Sequence, residues 1–273
     1  MTRLLAAVLS LLLTVSTALA GSPYGPAPGP LRIIGGGPGG GCIAGAVQLP
    51  VEGPGFQTIH RNRSDFWGAP VTIAGLEMLS RQAAAAGLPS LLMEDISHPR
   101  GGPMQGGHVS HQNGLDADVG LDMRARPLLV QASVESVVLA SMVRPDGRDI
   151  DPYAWSPRVV MLLRMAATLP GVDRVLVNPA IKQALCREVT GDRSWLQRIR
   201  PWWGHAAHMH LHFRCPADQP ECVDLPPIAA GDGCDATLAW WFEQLDQPAK
   251  PQSGKPAKRP PPPPACKAIL AGG

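Results

Sequence analysis

Residues Gly101–Asp122 read GGPMQGGHVSHQNGLDADVGLD. The stretch changes character at its middle. Up to Gly114 it is rich in glycine and carries His108 and His111, which is the composition of a loop. From Leu115 to Leu121 it alternates: Leu115, Ala117, Val119 and Leu121 are apolar, while Asp116, Asp118 and Gly120 lie between them. Alternation with period two predicts a strand with one apolar face and one acidic face. A second alternation stands about ninety residues later, in Trp202–Phe213, WWGHAAHMHLHF, and predicts a strand from His208 to Arg214.

Six of the eight histidines fall in these two stretches: His108, His111, His205, His208, His210 and His212. Histidines that only fill a core have no reason to gather in this way. Imidazole and carboxylate together are the usual ligands of a catalytic zinc, so the two stretches are expected to meet and hold a metal. His111 and Asp118 lie seven apart with Gly114 between them, which suits one ligand from a loop and one from the strand that follows. On the second strand, residues two apart share a face roughly 6–7 Å apart. One histidine there is expected as ligand and another as a base acting on water. Three protein ligands leave a fourth position open, as catalysis requires.

Other chemistries lack their signatures. There is no S-x-x-K or G-x-S-x-G segment for a serine acyl-enzyme, and no H-E-x-x-H zinc helix. A net charge of +2 with no dense basic patch argues against a nucleic-acid partner. Met1–Ala20 reads as a secretory signal peptide, with Arg3, an apolar run from Leu4 to Leu13, and Ala18-Leu19-Ala20 before the cleavage point. That run is too short to span a bilayer, and no later stretch is long and apolar enough to do so. Six cysteines in an exported chain favour three disulfides, and spacing leaves 15 connectivities open.

Around this centre, 21–41 reads as an irregular Gly/Pro-rich arm that buries little, 42–246 as the main domain, and 247–273 as a Pro-rich tail tethered by Cys266. Helices are expected at Pro70–Ala86, Val130–Val143, Pro157–Ala167 and Pro179–Val189, with Gly87 capping the first. Strands are expected at Leu88–Glu94 and Asp173–Val177. Trp240-Trp241-Phe242 reads as an aromatic packing or substrate patch. Interspersed helices and short strands indicate an α+β fold with a small, mainly antiparallel sheet and flanking helices.

The segments GGHVSHQNGLDADV, VNPAIKQALC, DRSWLQRIRPWW and HAAHMHLHFRCP resemble the penicillin-insensitive murein endopeptidases, within the LAS group of zinc metallopeptidases. The resemblance covers most of the chain after residue 20. It implies a LAS-type core and a periplasmic zinc enzyme acting on peptidoglycan cross-link peptides, at the D-alanyl–diaminopimelyl bond. Carried over, it makes His111, Asp118 and His210 the zinc ligands, His208 the base, and His205 a cleft residue. It allows a second metal at His108, Asp146 and Asp149, although Asp149 stands where the family pattern has histidine. It also implies the pairs Cys42–Cys266, Cys186–Cys234 and Cys215–Cys222. Two alternatives remain open at this point: a D,D-carboxypeptidase or dipeptidase of the same group, and a non-catalytic metal or cell-wall binding protein.

Overall fold

The fold is taken from a computed structural model, which describes residues 25–37, 40–104, 108–247 and 261–271. The expected signal peptide, and most of the Pro-rich tail, lie outside the described residues.

The centre is a seven-stranded mixed sheet. Its spatial order is β10 (Ile199–Pro201), β9 (Val172–Val177), β11 (His208–Phe213), β8 (Asp116–Gly120), β7 (Leu91–Met93), β5 (Phe56–Thr58) and β4 (Glu52–Gly53). Only β10–β9 and β5–β7 run parallel; the other neighbours are antiparallel. Two small hairpin-like sheets flank it: β1 (Arg32–Gly35) with β2 (Gly41–Ala44), and β3 (Val47–Gln48) with β6 (Trp67–Gly68).

The register of β8 and β11 fixes everything that follows. Met209 pairs with Val119 and Leu211 with Ala117, while His210 pairs with Asp118 and His212 with Asp116. Because alternate residues face opposite sides, all the apolar residues point one way and all the histidines and aspartates the other. The apolar side joins one core with helix α1 (Pro70–Ala85), through Ile73, Leu76 and Leu79, and with the third helix, through Val159, Leu162 and Leu163. Each such buried aliphatic side chain contributes about 1.5–3 kcal/mol. The third and fourth helices, α3 (Pro157–Thr168) and α4 (Pro179–Glu188), begin with proline in the first turn, where no backbone N–H is needed. Gly87 ends α1 with φ of +74°, as its position predicts.

The α+β class, the mainly antiparallel sheet and the disulfide stapling match expectation. The bridges are Cys42–Cys266, Cys186–Cys234 and Cys215–Cys222. Other expectations are corrected. Val130–Val143 is not a long helix; only α2 (Gln131–Val134) is helical there. Val137, Val138 and Val143 are β-branched and hold a helix poorly. Competing bonds hold the ends of the segment: the Gln57 amide receives Leu129 N–H and donates to Leu129 O, and the Ser141 hydroxyl bonds Val143.

The arm is not irregular throughout. β1 lies within it and buries Ile33 and Ile34, because pairing with β2 satisfies its backbone. The Leu88–Glu94 strand is shorter than expected, and Trp240–Phe242 lies within an unforeseen helix, α5 (Ala236–Glu243), capped by the Asp235 side chain. After Cys266 a short α6 (Lys267–Leu270) seats Ile269 beside Ile34 and Cys42. Among the described residues no helix is long and apolar enough to cross a membrane.

Candidate metal centre

The loop ahead of β8 delivers His111. Gly114 turns the chain at φ of +77°, and a Cβ there would lie 2.8 Å from the Ala69 backbone nitrogen. Glycine is therefore required on steric as well as conformational grounds. His111 itself is left-handed, with φ of +62°, a conformation costing about 1–2 kcal/mol for a residue with a side chain. The surroundings hold it there. Its backbone N–H donates to Asp116 Oδ2 at 3.2 Å, and its ring Nδ1 bonds the Ile96 carbonyl at 2.9 Å.

These partners decide which atoms face the cleft. With Nδ1–H donating to Ile96 O, the lone pair of neutral His111 is on Nε2. His210 is arranged the opposite way: its Nε2 faces Asp116 Oδ1 at 2.9 Å, leaving the lone pair on Nδ1. His111 Nε2 and His210 Nδ1 are 2.9 Å apart, and Asp118 Oδ1 lies 3.4 Å and 3.0 Å from them. With both rings neutral, three lone pairs converge on one point, and all three residues are buried. A cation there takes the place of the proton that His210 otherwise shares with Asp118. Tetrahedral zinc with bonds near 2.0–2.1 Å has ligand atoms about 3.3 Å apart, close to these separations. The residues present therefore fit zinc. His108, His111 and Asp118 also offer ligand atoms that all lie within 4.8 Å of one another. We favour His210 over His108 as third ligand, because its ring nitrogen approaches both other donors to 3.0 Å or less, whereas His108 Nδ1 stands 3.8 Å from Asp118 Oδ2.

The charges respond to this crowding. Burial alone would lower the His210 pKa, but the bonds to Asp116 and Asp118 outweigh it and raise it to about 10. Burial opposes ionisation of Asp118, yet His111 and His210 hold its carboxyl well below the usual range. Glu94 is the opposite case: burial, then the charges of Asp118 and Asp95, push it up to about 7. It lies 3.5 Å from both His60 and His208.

His208 lies two residues before His210 on the same face of β11, with Nε2 3.7 Å from Asp118 Oδ2. Burial lowers its pKa, so it is neutral near pH 7 and able to accept a proton. His205 packs against it, ring centroids 5.2 Å apart, and burial lowers its pKa to about 4. Two contributors escaped the reading of the sequence. Asp116 accepts from His210 and, at 2.7 Å, from His212, so it fixes the His210 ring from behind. Only the strand register reveals this.

His108 enters the cleft and contacts Asp95 at 3.2 Å. Asp146 and Asp149 are not among the cleft-lining residues. The Asp146 carboxylate accepts the Arg148 N–H, and Asp149 pairs with Arg187 and the Ile150 N–H. Trp202 and Trp241 line the cleft, with Trp203 and Trp240 beside Trp241, whereas Trp67 packs on the core.

Residues 34–271 match the family model described as penicillin-insensitive murein endopeptidase. This chain belongs to that family. Two curated relatives carry the same name, from Escherichia coli O1:K1 / APEC and Escherichia coli strain SMS-3-5. Each is 40% identical over 265 residues, covering 95% of this chain and 94% of the relative. For a murein endopeptidase family member, the cleft with its histidine–aspartate trio is the natural place to look for the chemistry.

Proposed function

We propose that this chain is a zinc-dependent endopeptidase that hydrolyses the D-alanyl–meso-diaminopimelyl cross-link of peptidoglycan. We further propose that it works in the periplasm after removal of residues 1–20. The observation that supports the proposal is the convergence of His111 Nε2, His210 Nδ1 and Asp118 Oδ1, three buried donor atoms within 3.4 Å of one another, in a cleft of a murein endopeptidase family member. These three would hold the zinc. When bound, zinc supplies a Lewis acid that lowers the pKa of water in the open fourth position.

The remaining roles belong to the chain. Asp116 fixes the His210 ring, and Ile96 O fixes His111. His208, neutral and at the lip of the trio, takes the proton of the attacking water and returns it to the leaving amine. Its other nitrogen faces Glu94 at 3.5 Å. His205 lines the cleft beside His208, with Nδ1 bonded to Trp203 O. The proposal is for one zinc, since Asp146 and Asp149 do not line the cleft.

The test is mass spectrometry of purified sacculi digested by the mature chain. Cross-linked dimers should disappear and monomers with a free D-alanyl carboxylate and a free diaminopimelyl amine should accumulate. Intact dimers, with only terminal D-alanine released, would make the chain a carboxypeptidase instead.

A further inference from the structure

The cleft does not end at the histidines. Across the sheet, Asp118 pairs with His210, His210 with Leu176, and Leu176 with Arg200. Directly paired residues on neighbouring strands share a face, so this row runs along the cleft floor. Arg200 lies two strands from His210, about 10 Å away at normal strand spacing. It lines the same cleft, together with Pro201, Trp202, Gly233, Thr237 and Trp241.

Arg200 differs from its neighbour Arg174, which also reaches the cleft. Arg174 is committed: Nε donates to Asp173 at 2.7 Å and Nη2 to the Pro226 carbonyl at 2.6 Å. The Arg200 guanidinium has no hydrogen bond and no ion pair among the described residues. The carboxylate that acts on it, Asp235, is occupied with the N–H and hydroxyl of Thr237 at the start of α5. A space is kept for the guanidinium. Gly233 has φ of +67°, and a Cβ on it would come 2.8 Å from Arg200 Nη1. The neighbouring Cys186–Cys234 bridge ties that loop to α4. A half-buried cation with free donors, at the end of a cleft, is built to receive a carboxylate.

We infer that Arg200 binds the carboxylate on the leaving-amine side of the scissile amide. This rests on the endopeptidase reading above and names what selects its substrate. In a D-alanyl–meso-diaminopimelyl cross-link, the carbon bearing the bridging nitrogen also bears a carboxylate. With the scissile carbonyl at the histidine trio, that carboxylate lies on the leaving side. The apolar Leu176 floor between the two charged ends leaves Arg200 as the group on this row that reads it. The enzyme therefore discriminates free from amidated diaminopimelyl acceptors.

The experiment compares two cross-linked muropeptides, identical except that this carboxylate is free or amidated. The wild-type chain should favour the acid by roughly 10- to 100-fold in kcat/KM, the range of a hydrogen bond to a charged group. The difference should fall mainly on KM, because the contact exists before the bond breaks. Arg200→Met should bring the acid-to-amide ratio close to one. Arg200→Lys should restore only part of it, keeping the charge and losing the fork. Calorimetry of the chain as purified with the acceptor-side product, which is not turned over, gives a readout independent of turnover, and should show the same acid preference and the same loss. A wild-type ratio near one, or a ratio retained in Arg200→Met, overturns the inference. A wild-type chain that cleaves neither muropeptide counts against the endopeptidase reading instead, and calorimetry then still decides the role of Arg200.

Discussion

His210 is the residue on which the site turns, because both of its ring nitrogens are assigned. One is held by Asp116 and the other faces His111 and Asp118. Removing it should lower zinc content and turnover together. His208→Ala should retain zinc and lose about 10²–10⁴-fold in rate, the usual share of a general base. Asp116→Ala should keep all three ligands yet weaken zinc binding by about 10–100-fold, as loss of an orienting partner does elsewhere. Zinc analysis and kinetics on the three variants check this. Loss of zinc from His208→Ala with retention in His210→Ala would reverse the assignment. That His111, Asp118 and the strand histidines would share one cleft was legible in the sequence, because clustered histidines and aspartates have little structural explanation, whereas the choice of His210 as ligand came only from the family resemblance. The roles of Asp116 and His212 were not legible, because an alternating pattern shows that a strand exists without showing which residue lies opposite which. The orienting bond exists only once His212 is known to sit across from Asp116.

Helices with a proline start and an apolar stripe, α1, α3 and α4, could be read directly. The 130–143 segment could not, since its apolar residues fit a helix while side chains elsewhere in the fold hold its ends in another shape. α5 had a signal in its Asp235 cap, obscured by the tryptophans that suggested a patch. Lys182 on α4 is fully buried, with Nζ donating to the carbonyls of Leu196 and Asp232, the latter in the loop leading to α5. Burial, helped by repulsion from Arg200, lowers its pKa to about 7. An unfolded lysine titrates near 10.4, so between about pH 7 and 10 the unfolded chain holds a proton that the folded chain lacks. Stability from this residue therefore rises with pH across that window. Thermal midpoints of wild type and Lys182→Met from pH 7 to 10 should diverge in favour of wild type as pH increases. Parallel curves would show that the folded protein keeps Lys182 charged.

Taken together, the molecule is a sheet with two faces, one making the core and the other the cleft, stapled at its ends. Cys42–Cys266 closes the longest loop, 224 residues apart in sequence, and fixes α6 against β2 beside Gly101, where the histidine loop begins. Loop-closure entropy gives such a bridge about 5 kcal/mol at most. Cys42→Ser with Cys266→Ser should lower the unfolding midpoint measured in guanidinium, and an unchanged midpoint would show that the tail contributes nothing to the fold. The three pairings were legible only through family resemblance, because chain spacing alone cannot select among connectivities. Cleavage of cross-links should depend on a metal held by His111, Asp118 and His210. The measurement is the rate of dimer loss from sacculi by the mature chain, as prepared, after chelation, and after zinc is restored, each with and without excess penicillin. Activity should vanish on chelation, return with about one zinc per chain, and ignore penicillin throughout. Full activity in the chelated, metal-free chain, or stoichiometric inhibition by penicillin, would contradict it.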